Sequence, residues 1–404
     1  MDSPKAQQKG EIPKLFVARD AEARVREGLR LLQKRHVRKL KGAPNAGDIA
    51  WVVDENGKFI AQCFCNPSAE PIAQVISLKE KEAIDAAFFS RKVIAADSFR
   101  RAVLGFSGSY RLFYGEADGI PGLVVDRFCG ICSMQVSCPG VERFKDAIAA
   151  ALLGIDGIVT VVERNDSRSR ERLGLPLKKG VLAGKSKTQA VIEEGAVKFE
   201  VDVLRGHKTG FYLDQSENRV AAAKYCRAGS EMLDVFSYTG GFGLHAAAAG
   251  ANVLMLDMKD AIAQARRNVK LNGLESRVSF LEGKAFEETK KMLSRPKRFD
   301  VVSVDPPAFA QRPADLKRAA RAYHQINYNC MKLLKDDGIL ITSSCSSYVS
   351  PEGFLKILSD AANHAGKEVS VIEQRSASRD HPVPAHSGSA GSYLKCVFLR
   401  VRSK

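Results

Sequence analysis

Leu233–Gly243 reads LDVFSYTGGFG, an apolar strand that runs into a glycine turn, and LHAAAAG follows as a helix. A strand, a turn and a helix in this order bring backbone N–H groups to the carboxyl end of a sheet strand, where α/β folds bind nucleotides. Gly240, Gly241 and Gly243 stand in a G-G-x-G order, without the third glycine of G-x-G-x-x-G, and there is no Walker lysine. Phosphate cradling is therefore not indicated. Asp234, inside the strand, argues the same way, because a carboxylate repels a pyrophosphate and suits the ammonium of a methionine moiety. The ligand this pattern predicts is S-adenosylmethionine.

Around the turn, from about Ala196, the apolar runs MLDVFSY, NVLMLDM, VSFLEG, FDVVSVDP and GILITSSCS alternate with helical segments. That alternation predicts an α/β fold with a parallel sheet covered on both faces, a Rossmann-like architecture. EVSVIEQRS and SYLKCVFLRVR are separated by the loop SASRDHPVPAHSGSAG with no helix between them, which predicts an antiparallel hairpin at the sheet edge. Upstream lies a small α+β text: the helix-like SLKEKEAIDAAFFSRKVIAADSFRRAVLG, the strands RLFYGE, GLVVDRF and ICSMQVS, the helix VERFKDAIAAALLG and the strand GIVTVVERN. Before it, IAWVVDENGKFIAQCFC reads as two extended runs joined by Asp54–Gly57, the hairpin a small β-barrel needs. Asp20–Lys39 reads either as an amphipathic helix or as a basic arm. The expected domains are 1–78, 79–195 and 196–404.

The 404 residues exceed one ordinary core, and 45% hydrophobic with 27% charged residues place the chain in the globular class. No apolar run approaches the roughly 18 residues of a membrane helix, and MDSPKAQQKGEIPK lacks the apolar core of a signal peptide, so a cytoplasmic protein without a membrane partner is expected. Nine cysteines, an odd number, fit free thiols in a reducing compartment. Cys129 and Cys132 form a C-x-x-C with no second pair and no histidine at ligand spacing, and no metal is expected. The formal net charge of +16 favours a polyanionic partner, nucleic acid first. Residues 1–43 carry twelve Lys or Arg against five Asp or Glu, densest in QKRHVRKLKG.

Three further positions carry chemistry. Asp257 closes the second strand, where a carboxylate either accepts from ribose hydroxyls or caps the next helix; beside Asp234 and the turn, the ribose role is favoured. Asp305-Pro306-Pro307 closes the fourth, and two prolines stiffen a loop that presents a carboxylate and carbonyls to a flat base. Cys345 closes the fifth in SSCSS, at the same rim. A thiolate there can attack carbon 6 of a pyrimidine, making carbon 5 nucleophilic toward a methyl group, while Asp305 hydrogen-bonds the ring nitrogen or amino group. The plainer role for Cys345 is a small packing residue.

VERNDSRSRERLGLP, GFYLDQSENR, LDVFSYTGGF, ARRNVKLNG, DPPAF and SSCSS, in this order, resemble the bacterial large-subunit ribosomal RNA 5-methylcytosine methyltransferases. The likeness covers nearly the whole chain and includes YGEADGIPGLVVDRF; PNAGD, GKFIAQCFCNP and QVIS resemble that family's N-terminal PUA barrel. It implies a PUA domain, a small α+β domain and a methyltransferase domain, with S-adenosylmethionine as donor. The implied acceptor is a cytosine of 23S ribosomal RNA, free or in a large-subunit particle, and a homodimer is compatible with it. By the same likeness Phe211, Leu213 and Asp214 close over the cofactor, Asp234, Phe236, Tyr238 and Gly240 line its methionine end, Asp257 holds the ribose and Cys345 is the nucleophile; the backbone N–H of Ala285 is left to bind the adenine, and Asp305 is expected to serve both the cofactor and the reaction. Two positions depart from the family: Lys284, where relatives carry an acid toward the adenine, and Ala308, where they carry the lysine of DPPKF. Competing readings are a guanine N7 module, which resembles SNN rather than SCS at the fifth strand, an exocyclic amino methyltransferase, a small-molecule methyltransferase, and an RNA-binding assembly factor without catalysis.

Overall fold

Seven strands from the second half of the chain form one sheet, in a computed structural model that describes residues 11–386 and 393–404. The opening MDSPKAQQKG and residues 387–392 of the loop SASRDHPVPAHSGSAG lie outside the described residues. In chain order the strands are β1 (Glu231–Val235), β2 (Asn252–Asp257), β3 (Val278–Glu282), β4 (Phe299–Val304), β5 (Leu334–Ser344), β6 (Lys367–Arg375) and β7 (Lys395–Ser403). Their order across the sheet is β3-β2-β1-β4-β5-β7-β6, with the first five parallel and β7 antiparallel to both its neighbours. The final hairpin is thus antiparallel as read from the sequence. Its second strand inserts beside β5, and β6 becomes the edge.

The helices are α1 (Ser216–Ala223), α2 (Gly241–Ala248), α3 (Lys259–Leu271), α4 (Ala285–Met292), α5 (Leu316–Leu333) and α6 (Pro351–Ala365). In α5, Ala319, Tyr323, Ile326, Cys330 and Leu333 recur at helical spacing and are all fully buried, so one stripe faces the sheet. They share a core with Leu233 and Val235 of β1, Val302 and Val304 of β4, and Phe354 and Leu358 of α6. Period two sends Met232 and Asp234 to the opposite face, which α1 and α2 cover. Helix α6 begins where the Ser350 hydroxyl accepts the Gly353 N–H at 3.0 Å, with Pro351 at its first position, and ends at Gly366 with φ +68°. Among the described residues no helix is long and apolar enough to cross a membrane.

The chain's contacts define two compact units. This sheet lies in the second, which comprises Val191–Val201, Tyr212–Val383 and the residues from 393 on. The first comprises the residues up to Ala190, Asp202–Phe211 and Pro384–His386. It holds a six-stranded sheet with the predicted hairpin Asp48–Val53 and Phe59–Cys65, over a core of Leu15, Val17, Val25, Val52, Ile60 and Val75. It also holds a five-stranded sheet that contains Ser109–Tyr114, Leu123–Phe128, Ile131–Val136 and Thr160–Asn165, packed against Ala86–Ser98 and Lys145–Leu153. The segment Asp20–Lys39 is neither one helix nor an arm: a helix spans Arg19–Arg26, and the basic run enters the six-stranded sheet as Val37–Lys41, paired with Lys14–Val17. The helix-like stretch from Leu78 begins as a helix only at Ala86, where the Asp85 carboxylate accepts the Phe88 N–H.

Candidate active site

The turn after β1 carries two non-glycine residues in the left-handed region, Phe236 (φ 62°) and Tyr238 (φ 47°), before Gly240 (φ 89°). Such backbone persists only where neighbours over-determine it. Here Phe236 N–H donates to Leu256 O at 3.0 Å, Tyr238 N–H to the Asp257 carboxylate at 2.8 Å, and Asn268 of α3 to Thr239 O at 2.9 Å. Gly243 must be glycine for space: a Cβ would lie 2.7 Å from Met255 Cε and 2.9 Å from Asp234 Oδ2.

Asp234 is fully enclosed. Its carboxylate accepts the Gly243 N–H of α2 at 2.9 Å and the Ser303 hydroxyl at 2.5 Å. Burial pushes its pKa up to about 6, against the downward pull of those two hydrogen bonds. A carboxylate at the amino end of α2 already takes an N–H that a phosphate would need, so the donor set disfavours a pyrophosphate and suits a ligand with an ammonium and a neutral base. Asp257 is partly exposed and accepts from the N–H groups of both Tyr238 and Met258 (2.8 and 2.7 Å), while Met258 occupies the N-cap position of α3 without a side-chain capping bond. It is therefore a bracket between turn and helix rather than the cap. Ala285 opens α4 and is buried. Lys284 before it projects into solvent and pairs with Glu287 at 3.2 Å, so the departure from the family pattern sits on an exposed ammonium.

Across the rim, β4 and β5 bring Asp305 and Cys345 together. The half-buried Cys345 thiol lies 3.7 Å from the Pro306 carbonyl oxygen. The turn that holds it is bolted at the fully buried Ser346, whose hydroxyl accepts the Ala310 N–H at 3.1 Å and meets the Tyr323 hydroxyl at 2.9 Å. Gln215 donates to Asp305 Oδ1 and to Ser343 Oγ, each at 3.0 Å, tying the segment before α1 to both strands. Leu213 and Asp214 are buried in the same segment, and Asp214 accepts from the Ser378 N–H and, at 2.5 Å, from the Tyr393 hydroxyl. Phe211 is buried and belongs to the first unit.

Sequence reading missed several residues of this neighbourhood. Tyr212 packs edge-on to Tyr238, with ring centroids 5.4 Å apart, and burial raises its pKa, with Tyr238, Asp305, Cys345 and Asp214 acting in the same direction. Arg219 of α1 donates twice to Glu194, at 2.6 and 2.5 Å, and once to Tyr212 O at 2.9 Å; a Cβ on Gly241 would meet its Cδ at 2.6 Å. Tyr212, Gln215 and Arg219 all lie in GFYLDQSENR, and polar residues in a motif whose partners are distant in sequence were the available signal. All nine cysteines are free thiols, and among the described residues no group of three His, Cys, Asp or Glu is placed to hold a metal ion.

A strand order of 3-2-1-4-5-7-6 with a glycine turn at the first strand and an enclosed acid behind it defines a class of methyl-transferring enzymes, and residues 178–388 match the model of the S-adenosylmethionine-dependent methyltransferases. Residues 15–77 match a PUA-like domain. The chain is 37% identical over 371 residues to ribosomal RNA large subunit methyltransferase I of Shewanella amazonensis, covering 90% of this chain and 93% of that protein. It is likewise 37% identical to the protein of that name from Aeromonas hydrophila, covering 91% and 94%. A solved Streptococcus mutans chain described as a candidate SAM-dependent methyltransferase has the same fold (TM-score 0.81, 21% identity, 96% of this chain and 100% of that one). The chain belongs to the ribosomal RNA large subunit methyltransferase family of S-adenosylmethionine-dependent enzymes.

Proposed function

We propose that this enzyme methylates carbon 5 of a cytosine in large-subunit ribosomal RNA, with Cys345 as nucleophile. The observation that carries the reading is the Cys345 thiol held 3.7 Å from the Pro306 carbonyl, beside Asp305, at the carboxyl rim of the sheet. S-adenosylmethionine, when bound, supplies the methyl group as an electrophile on a sulfonium. The Cys345 thiolate bonds to carbon 6, and the electron pair of the 5,6 double bond moves to carbon 5, which takes the methyl group. Asp305, steadied by Gln215, hydrogen-bonds the ring edge and stabilises charge building there. When the carbon 5 proton leaves to water, its electron pair restores the double bond and expels the thiolate.

On this reading Phe211, Leu213 and Asp214 close over the cofactor. Asp234, Phe236, Tyr238 and Gly240 shape the methionine end, Asp257 takes the ribose, and the Ala285 N–H meets the adenine. The RNA is gripped by the PUA-like part, and the three-domain division at 78 and 195 is retained. The protein works in the cytoplasm. The test is bisulfite mapping of large-subunit ribosomal RNA after incubation with wild-type or Cys345→Ala enzyme, free RNA and subunit particles assayed side by side. One protected cytosine is expected with wild type and none with the variant, whose cofactor affinity stays within about twofold. Full methyl transfer by the variant would remove Cys345 from the reaction.

A further inference from the structure

Lys395 is a buried cation beside the candidate nucleophile, and nothing above gives it a role. It opens β7 directly across from Ser344 of β5, one residue before Cys345, and is 5% exposed. Its Nζ donates to the Ser346 carbonyl at 2.7 Å and to the Tyr393 carbonyl at 2.9 Å. An ammonium has three N–H donors, so two carbonyls leave one over. A buried cation needs a counter-charge, and no carboxylate lies within ion-pair distance of Lys395 among the described residues. Burial pushes its pKa down to about 8, and the charge of Cys345 is the one ionisable influence acting to raise it.

Tyr212 before α1, Tyr323 on α5 and Lys395 on β7 each interact electrostatically with Cys345, and Asp305 at the end of β4 directly precedes the Pro306 whose carbonyl meets the thiol. Of these only Lys395 is cationic. The Asp305 carboxylate opposes a thiolate, and so does partial burial. We infer that Lys395 is a positioning residue that supplies the counter-charge of the Cys345 thiolate, holding the SSCSS turn through the Ser346 carbonyl while its remaining N–H faces the sulfur. The geometry suits this, since one ammonium can bind the carbonyl that follows the nucleophile and the nucleophile itself. Lys395→Arg keeps the charge; Lys395→Met keeps much of the length and none of the charge.

The inference rests on Cys345 being the nucleophile, and its test requires no turnover. The pH dependence of Cys345 alkylation by iodoacetamide, read on the Cys345 peptide by mass spectrometry, reports thiolate formation in the full-length protein. In wild type the inflection should fall at least one pH unit below the ~8.5 of an ordinary cysteine. Lys395→Met should raise it by one unit or more, cutting the rate at neutral pH about tenfold while the high-pH plateau stays the same, and Lys395→Arg should restore most of the shift. A wild-type inflection at or above the ordinary value overturns the inference even if the Met variant does not fold. An unchanged inflection in a folded Met variant does so too. If Cys345→Ala instead keeps methyl transfer, the proposed reaction fails while the alkylation profile still decides the Lys395–Cys345 pair.

Discussion

Asp234 lies in the strand where a carboxylate was expected to meet a methionine ammonium, and it already has two partners, Gly243 N–H and Ser303 Oγ. Its pKa is raised from 3.8 to about 6, burial being the cause. A raised carboxyl favours the folded state below its unfolded value and loses that advantage as pH climbs to the folded value. Two units correspond to about 3 kcal/mol. Asp234→Asn keeps an acceptor for Gly243 and a donor for Ser303 and cannot ionise. Its stability relative to wild type should improve by about 3 kcal/mol between about pH 4 and pH 7 in chemical denaturation; parallel pH profiles would show that the ionised form is not penalised. Cys345 and Asp305 were legible because each ends a strand within a short motif. Gln215, Tyr212 and Lys395 were not, since the partners that place them in the site lie 26 to 128 residues away in sequence and no local pattern marks such a meeting.

At the scale of elements, the glycine turn owes its shape to a helix outside it. Arg219 of α1 crosses Gly241 and pairs with Glu194, which also takes a 2.9 Å contact from His245 of α2. Burial pushes Glu194 up, but Arg219 and His245 outweigh it and bring its pKa to about 2, from 4.5. A lowered carboxylate stabilises the fold above its unfolded value and loses that contribution as pH falls to the folded one. Glu194→Gln strands a buried guanidinium, so urea denaturation should show a loss of about 3 kcal/mol at neutral pH, shrinking as pH drops from about 4 toward 2. A loss that does not depend on pH would assign the effect to shape rather than charge. The strands of the α/β sheet were readable because burial on both faces makes them apolar throughout, whereas Gln33–Gly42 was not. Its strand Val37–Lys41 has an intermediate-exposed-exposed-intermediate-exposed pattern, so Val37 and Leu40 stand at helical spacing and not at the period two of a strand.

For the molecule as a whole, the +16 net charge predicts RNA binding that weakens steeply with salt. Arg38 and Lys39 are exposed on the PUA-like part's basic strand, and replacing both with Ala should lower the salt slope of RNA affinity by about one per side chain while leaving cofactor affinity unchanged. An unaltered slope in filter binding would place the RNA on another surface. The chain's sequence by itself determined the class of fold and the methyl donor and pointed to the pair proposed to react, because apolar alternation, a glycine turn and strand-end motifs are local consequences of backbone geometry. Only the tertiary structure decided how that pair is held. The final strand enters beside β5 rather than at the edge, and by doing so carries a buried ammonium to the turn of Cys345. That placement depends on which strand hydrogen-bonds to which, a long-range choice that the composition of β7 does not encode.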